Sequence, residues 1–166
     1  MLKTIIILAG PPCAGKSTYV EKYKSTFGIL PGDRGLGVVS RDQIREDHFP
    51  KPYLHRRNTE TQVSQIFYDN FKALLIDDSI SHILVDNTHC RESYIDIYID
   101  KLIKKKYKDF TVKLYILFLD IPLWKSIFRN FIRFFKTGRW IPIRVIKDMH
   151  KSYNKINRKK YEQYIT

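Results

Sequence analysis

Cysteine is scarce in this sequence. Only Cys13 and Cys90 occur in 166 residues, which excludes a disulfide-stapled scaffold and suits a chain kept reduced in the cytoplasm. Long apolar runs are missing too. No stretch reaches the roughly 18 residues of a membrane-spanning helix. The short run in "MLKTIIILAGPPC" meets glycine and proline too early for the core of a secretory signal. No internal repeat or low-complexity linker divides the chain, whose length suits one compact domain over residues 1–166. Acidic residues are outnumbered: 17 Asp and Glu face 30 Lys and Arg, a formal charge of +13. Such an excess points to a polyanionic partner, nucleic acid before an anionic membrane. The most biased stretch, "KKKYK" at 104–108, is expected to end a helix, where cations suit the macrodipole.

Four stretches rich in Ile, Val and Leu read as strands: Thr4–Leu8, Leu36–Ser40, His82–Asp86 and Val112–Leu119. They lack clean alternation, as strands do when helices cover both faces. Helical patterns lie between them, over Lys16–Thr26, Gln43–Asp47, Arg57–Asp77 and Glu92–Lys106, then Leu123–Lys136 and Pro142–Tyr161. "GILPGDRGLG" at 28–37 reads as a loop. Strand and helix in alternation imply an α/β domain with a parallel sheet. Ligands in such sheets sit at the carboxyl ends of the strands.

"GPPCAGKST" at 10–18 follows the first strand and opens the first helix. It matches Gly-x-x-x-x-Gly-Lys-Ser, the P-loop pattern. Gly10 and Gly15 are expected to adopt backbone angles closed to other residues. Main-chain N–H groups of Gly10, Pro11, Pro12, Cys13, Ala14, Gly15, Lys16, Ser17 and Thr18, prolines excepted, can then converge on phosphate oxygens. Lys16 would neutralise the β- and γ-phosphates and Ser17 would ligate Mg²⁺. Cys13 reads as a small tolerated residue rather than a nucleophile. An Asn-Lys-x-Asp base-reading motif is absent, which disfavours a GTPase, and the chain is short for a motor. A small kinase using ATP leads, on a three-layer P-loop sandwich with a mainly four-stranded parallel sheet.

"VVSRDQIRED" at 38–47 ends the second strand and starts a helix. Asp42 and Arg45 are three apart and share a helical face. A carboxylate beside a cation suits the group that orients an attacking hydroxyl, and Arg45 could hold a phosphate next to it. Equally, Ser40 or Asp42 could simply cap the helix. "HILVDNTH" ends the third strand in Asp86, which could hold Mg²⁺ through water or fix Arg45. Asp120, before Pro122, is a rival acid or a helix cap. In "LWKSIFRNFIRFFKTGRW", Phe128, Phe131, Ile132 and Phe135 have helical core spacing. Arg129 and Arg133 lie four apart, either as a lid over the phosphates or as a solvated basic face.

With "SRDQIR", "VDNT" and "LDIPLWKSIFRN" continuing into "IPIRVIKDMHKSY", these motifs resemble, in order and spacing, the 5′-hydroxyl polynucleotide kinase family of T-even phages. The resemblance covers nearly the whole chain. It implies a helical lid over about residues 123–142 and a tunnel admitting a single-stranded end. It implies Lys16 and Ser17 on the ATP phosphates and magnesium, with Asp42 or Asp86 reaching the metal through water. Asp42 would be the general base and Arg45 the grip on the neighbouring phosphate. Asp86 would support that site, with Arg41, Asn87 and Thr88 around the acceptor. Arg133 would stabilise the γ-phosphoryl, and Arg129 would join the nucleotide contacts. The family's Asp-x-Asp-Gly-Thr phosphatase segment is absent, so the kinase stands alone or is a module of a longer protein. The expected partner is single-stranded or end-frayed DNA or RNA with a 5′-hydroxyl. Tyr53, His55, Arg56 and Arg57 suit stacking on a terminal base, or a loop leading into a helix. A small-molecule or nucleoside kinase and an ATP-switched nucleic-acid binder are the alternatives.

Overall fold

A computed structural model describes residues 2–27, 34–49, 57–104 and 110–165. Strands β1 (Leu2–Ala9), β2 (Leu36–Ser40), β3 (His82–Asp86) and β4 (Thr111–Phe118) form one parallel sheet in the order β2-β3-β1-β4. Helix α1 (Lys16–Thr26) links β1 to β2, and α2 (Arg41–His48) with α3 (Arg57–Ile76) links β2 to β3. Between β3 and β4 lie α4 (Glu92–Ile99) and a π-helical turn, Asp100–Lys104. Then come α5 (Leu123–Thr137), α6 (Ile143–Tyr153) and a 3₁₀ helix, Arg158–Tyr164.

The strands read as continuous apolar runs because both faces of the sheet are covered. Ile5, Ile7 and Ala9 join Ile83 and Val85 in the larger core with Val63, Phe67 and Phe71 of α3 and Ile95 of α4. Ile6, Leu8 and Leu84 turn the other way, onto Val20 of α1. Each fully buried aliphatic side chain contributes about 1.5–3 kcal/mol, so a one-residue slip of β1 would exchange the two cores wholesale. Helix α3 packs closely on β2. A Cβ added to Gly37 would lie 2.7 Å from a methyl carbon of Leu74.

Lys3 shares the face of Ile5 and Ile7 and is wholly buried. Its ammonium donates to the carbonyls of Leu74 (3.4 Å), Ile80 (2.7 Å) and Asp77 at and just beyond the end of α3. Those acceptors let a cation sit inside, although burial lowers its pKa.

The last helix is shorter than the sequence suggests. Instead of running to Tyr161, α6 stops at Tyr153, and Lys155 and Ile156 donate back to Ser152 and Tyr153. The turn brings Ile156 and Tyr161 into the main core, and Ile165 forms a bridge with Ile116 beside β4. Helix α4 gives way at Ile99 to the π-helical turn Asp100–Lys104, so the expected helix continues to Lys104, and Lys106 lies outside the described residues. Most of the 104–108 lysine run lies outside the described residues, as do residues 28–33 and Tyr53, His55 and Arg56. Among the described residues no helix is long and apolar enough to cross a membrane.

Candidate active site

The register of the sheet assembles the site. Asp86 pairs with Leu8 on one side and Ser40 on the other, so the ends of β1, β2 and β3 meet where connections leave the sheet in opposite directions.

Residues 10–15 form the loop after β1. Gly15 has φ 100°, and Cys13 has φ 60°, a left-handed position held by a non-glycine residue. Gly10 differs from expectation, since it has no positive φ. It is needed for close approach, because an added Cβ would sit 2.9 Å from the carbonyl oxygen of Leu119. The loop passes into α1, whose N-terminus starts at Lys16 and points positive charge at the loop. Lys16 curls back and donates to the carbonyls of Gly10 and Pro11, both at 2.8 Å. Its burial lowers its pKa, while Cys90 and Asp86 oppose the shift. Cys90 donates to Gly10 O, and burial pushes its thiol up to about 11, so it remains a thiol at neutral pH.

Opposite the lysine stand three oxygen-bearing side chains. Asp86 Oδ2 accepts from Ser17 at 3.5 Å and from Ser40 at 3.4 Å. Burial raises the pKa of Asp86, the Lys16 charge pulls it down, and the Asp42 charge raises it again. Ser40 also caps α2, accepting from Gln43 N–H. The capping role and the site role therefore belong to one residue. Ser17 and Asp86 present hard oxygen donors of the kind that hold Mg²⁺ with water completing the shell.

Asp42 is close enough to Lys16 and Asp86 to act on the charge of both. Its carboxylate accepts from Arg45 Nη1 at 2.7 Å. Glu60 of α3 grips the same guanidinium bidentately, at 3.1 Å from Nε and 2.9 Å from Nη2. Arg41 turns to Glu60 (3.2 Å) and Ser64 (2.8 Å). Glu60 is the residue that sequence reasoning missed. It lies 15 and 19 positions from its two arginines, and its only signal is an acid in the first turn of α3. Asn87 accepts from the Thr88 N–H at 2.7 Å and so shapes the turn after β3. Asp120, the rival acid, pairs with Arg158 and is held below the usual carboxylate range by it.

Helix α5 lies on the loop. Ser126 is buried and donates to Pro12 O at 2.6 Å, and Arg129 donates to Cys13 O at 3.0 Å. Arg133 has a buried Nε with no hydrogen-bond partner among the described residues. Asn130 is buried and exchanges two hydrogen bonds with the backbone of Ile141, fixing the turn between α5 and α6. Arg139 in that turn pairs with Glu46 of α2, joining the end of α5 to α2. The expected aromatic core of α5 is corrected by the structure. Its fully buried positions are Ser126 and Asn130, while Phe128, Phe131, Ile132 and Phe135 are exposed. Helical spacing identifies a stripe without saying which side of the helix is covered.

No family model and no curated protein matches the chain. Among solved structures it is similar to a chain of the Pnkp1/Rnl/Hen1 RNA repair complex, at 20% identity and a TM-score of 0.74, over 98% of this chain and 47% of that one. It is also similar to a chain of a second structure of the Pnkp1/Rnl/Hen1 complex, at 23% identity and a TM-score of 0.55, over 76% of this chain and 39% of that one. The chain thus spans less than half the length of those neighbours. A deoxyadenosine kinase from M. mycoides with bound dATP is a looser neighbour, 16% identical with a TM-score of 0.47, over 98% of this chain and 89% of that one. The likeness to the RNA repair complex chain is one of fold, an α/β domain on a parallel four-stranded sheet.

Proposed function

We propose that this chain transfers the γ-phosphoryl group of ATP to the 5′-hydroxyl of a DNA or RNA end. The observation that carries this is the Asp42–Arg45–Glu60 chain of contacts beside the P-loop. An exposed carboxylate, aimed by a braced guanidinium, stands next to the phosphate grip. The acceptor oxygen bonds to phosphorus as the bond to the ADP oxygen breaks, and Asp42 takes the hydroxyl proton. So loose a transition state asks little basicity of it. Arg45 holds the phosphate next to that hydroxyl, with Arg41, Asn87 and Thr88 around it. Lys16 exchanges its loop carbonyls for phosphate oxygens, and Arg129 and Arg133 steady charge on the moving group. Ser17, and Asp86 through water, would hold a magnesium ion, which would supply neutralisation of phosphate charge.

The charge of +13 supports a polynucleotide acceptor over a small metabolite. So does the likeness to a chain from an RNA repair complex. The test is transfer of labelled γ-phosphate to matched 5′-hydroxyl DNA and RNA oligomers, with free nucleosides alongside, with and without magnesium. Label should appear on the oligomers only with the metal present. Label confined to nucleosides, or left entirely in ATP and free phosphate, would overturn the assignment.

A further inference from the structure

The side of α5 turned away from the P-loop carries a row of uncovered rings. Trp124, Phe128 and Phe135 are 68%, 58% and 82% exposed, and Phe131 continues the row. Trp124 to Phe135 spans about 16 Å of helix at 1.5 Å per residue. Trp140 meets Phe131 and Phe134 at ring centroid separations of 5.0 and 5.9 Å, with interplanar angles of 68° and 76°. In each such pair the edge of one ring meets the face of the other, which fixes Trp140 against the helix. Lys125 and Lys136 border the row, Arg139 beyond it is paired with Glu46, and Arg129 lies on the same helix with its guanidinium on the loop carbonyl of Cys13. Aromatic faces bordered by cations are what a single strand uses, with bases on rings and phosphates on cations.

We propose that this outer face of the lid is a stacking platform for the single-stranded stretch of the nucleic acid whose end occupies the site. The assignment rests on the polynucleotide acceptor proposed above. A strand leaving the site need cross only one helix diameter, about 10–12 Å, to reach these rings. Charge selects this occupant. A second copy would bring another +13 against the same cationic rim. A helix lying in a membrane surface gives its polar face to water and headgroups, whereas here Ser126 and Arg129 commit that face to the P-loop.

The two tryptophans of the chain, Trp124 and Trp140, both lie here, so tryptophan fluorescence, excited beyond the absorption of the tyrosines, reports on this surface. Titration with a single-stranded oligonucleotide of about 12 nucleotides, without ATP and at fixed salt, is expected to quench it. The double variant Phe128→Ala with Phe135→Ala is expected to bind that strand roughly tenfold or more weakly, while phosphorylating a dinucleotide acceptor at the parental rate. Unchanged strand affinity in the variant overturns the proposal. So does fluorescence that answers to anionic vesicles or to self-association rather than to the oligonucleotide. Because binding is read without chemistry, failure of phosphoryl transfer leaves this result standing on its own.

Discussion

The guanidinium of Arg45 donates to Asp42 at 2.7 Å while its remaining edge is taken by Glu60. One arginine therefore orients the acid and is itself oriented. Asp42→Asn keeps the size of the side chain and an acceptor for Arg45 but removes the proton acceptor. Phosphoryl transfer is expected to fall by about 10²-fold or more, with nucleotide affinity, measured by calorimetry, unchanged. Equal transfer by the variant would remove Asp42 from the chemistry.

Glu60→Gln leaves Arg41 and Arg45 with their charges and half their anchor. The loss of charge-assisted hydrogen bonds is expected to destabilise the fold by about 1–3 kcal/mol, read as a shift in the denaturant midpoint. The acceptor KM should rise more than the ATP KM, because Glu60 grips Arg41 and Arg45, the arginines assigned to the acceptor.

Burial raises the folded pKa of Asp86 above the unfolded value, with the Lys16 charge opposing it. Its charge therefore costs stability at neutral pH, and the cost disappears as pH falls through the raised pKa. Asp86→Asn is expected to raise the melting temperature at neutral pH while transfer drops. The stability gain should shrink on acidification. A variant less stable than the parent at pH 7 would contradict this.

His89 responds in the opposite sense. Its Nδ1 donates to the carbonyl of Leu8 at 2.9 Å, and its Nε2 is buried without a partner. Burial lowers its pKa from 6.5 to about 4. Above 6.5 both states are neutral. Below it the unfolded chain takes a proton that the folded one refuses, so stability falls until pH reaches about 4. The total reaches about 3 kcal/mol at 1.36 kcal/mol per pH unit. His89→Asn retains a donor for Leu8 O and should flatten that part of the stability profile, followed by urea unfolding between pH 7 and 4.

Much of this was legible in the amino-acid order. The strands were, because burial on both faces leaves apolar runs such as Ile5–Leu8 that nothing else explains. The P-loop and the Asp42–Arg45 pair were, because each is a local spacing. Glu60 was not, since its partners come from another helix. Lys3 stood two residues before Ile5 on the inward face, a visible anomaly whose meaning depends on where α3 ends. The rings of α5 misled because periodicity is blind to which neighbour arrives. The end of α6 was hidden because Ile156 and Tyr161 break away to fill the core, a tertiary demand that helix propensity does not register.

Helix α5 is turned inside out, resting on the loop through Ser126 and Arg129 with no apolar side chain fully buried beneath it. Displacing the helix would expose little apolar surface, so such a change should have almost no heat-capacity signature. What holds the helix in place is a few polar contacts that water can replace.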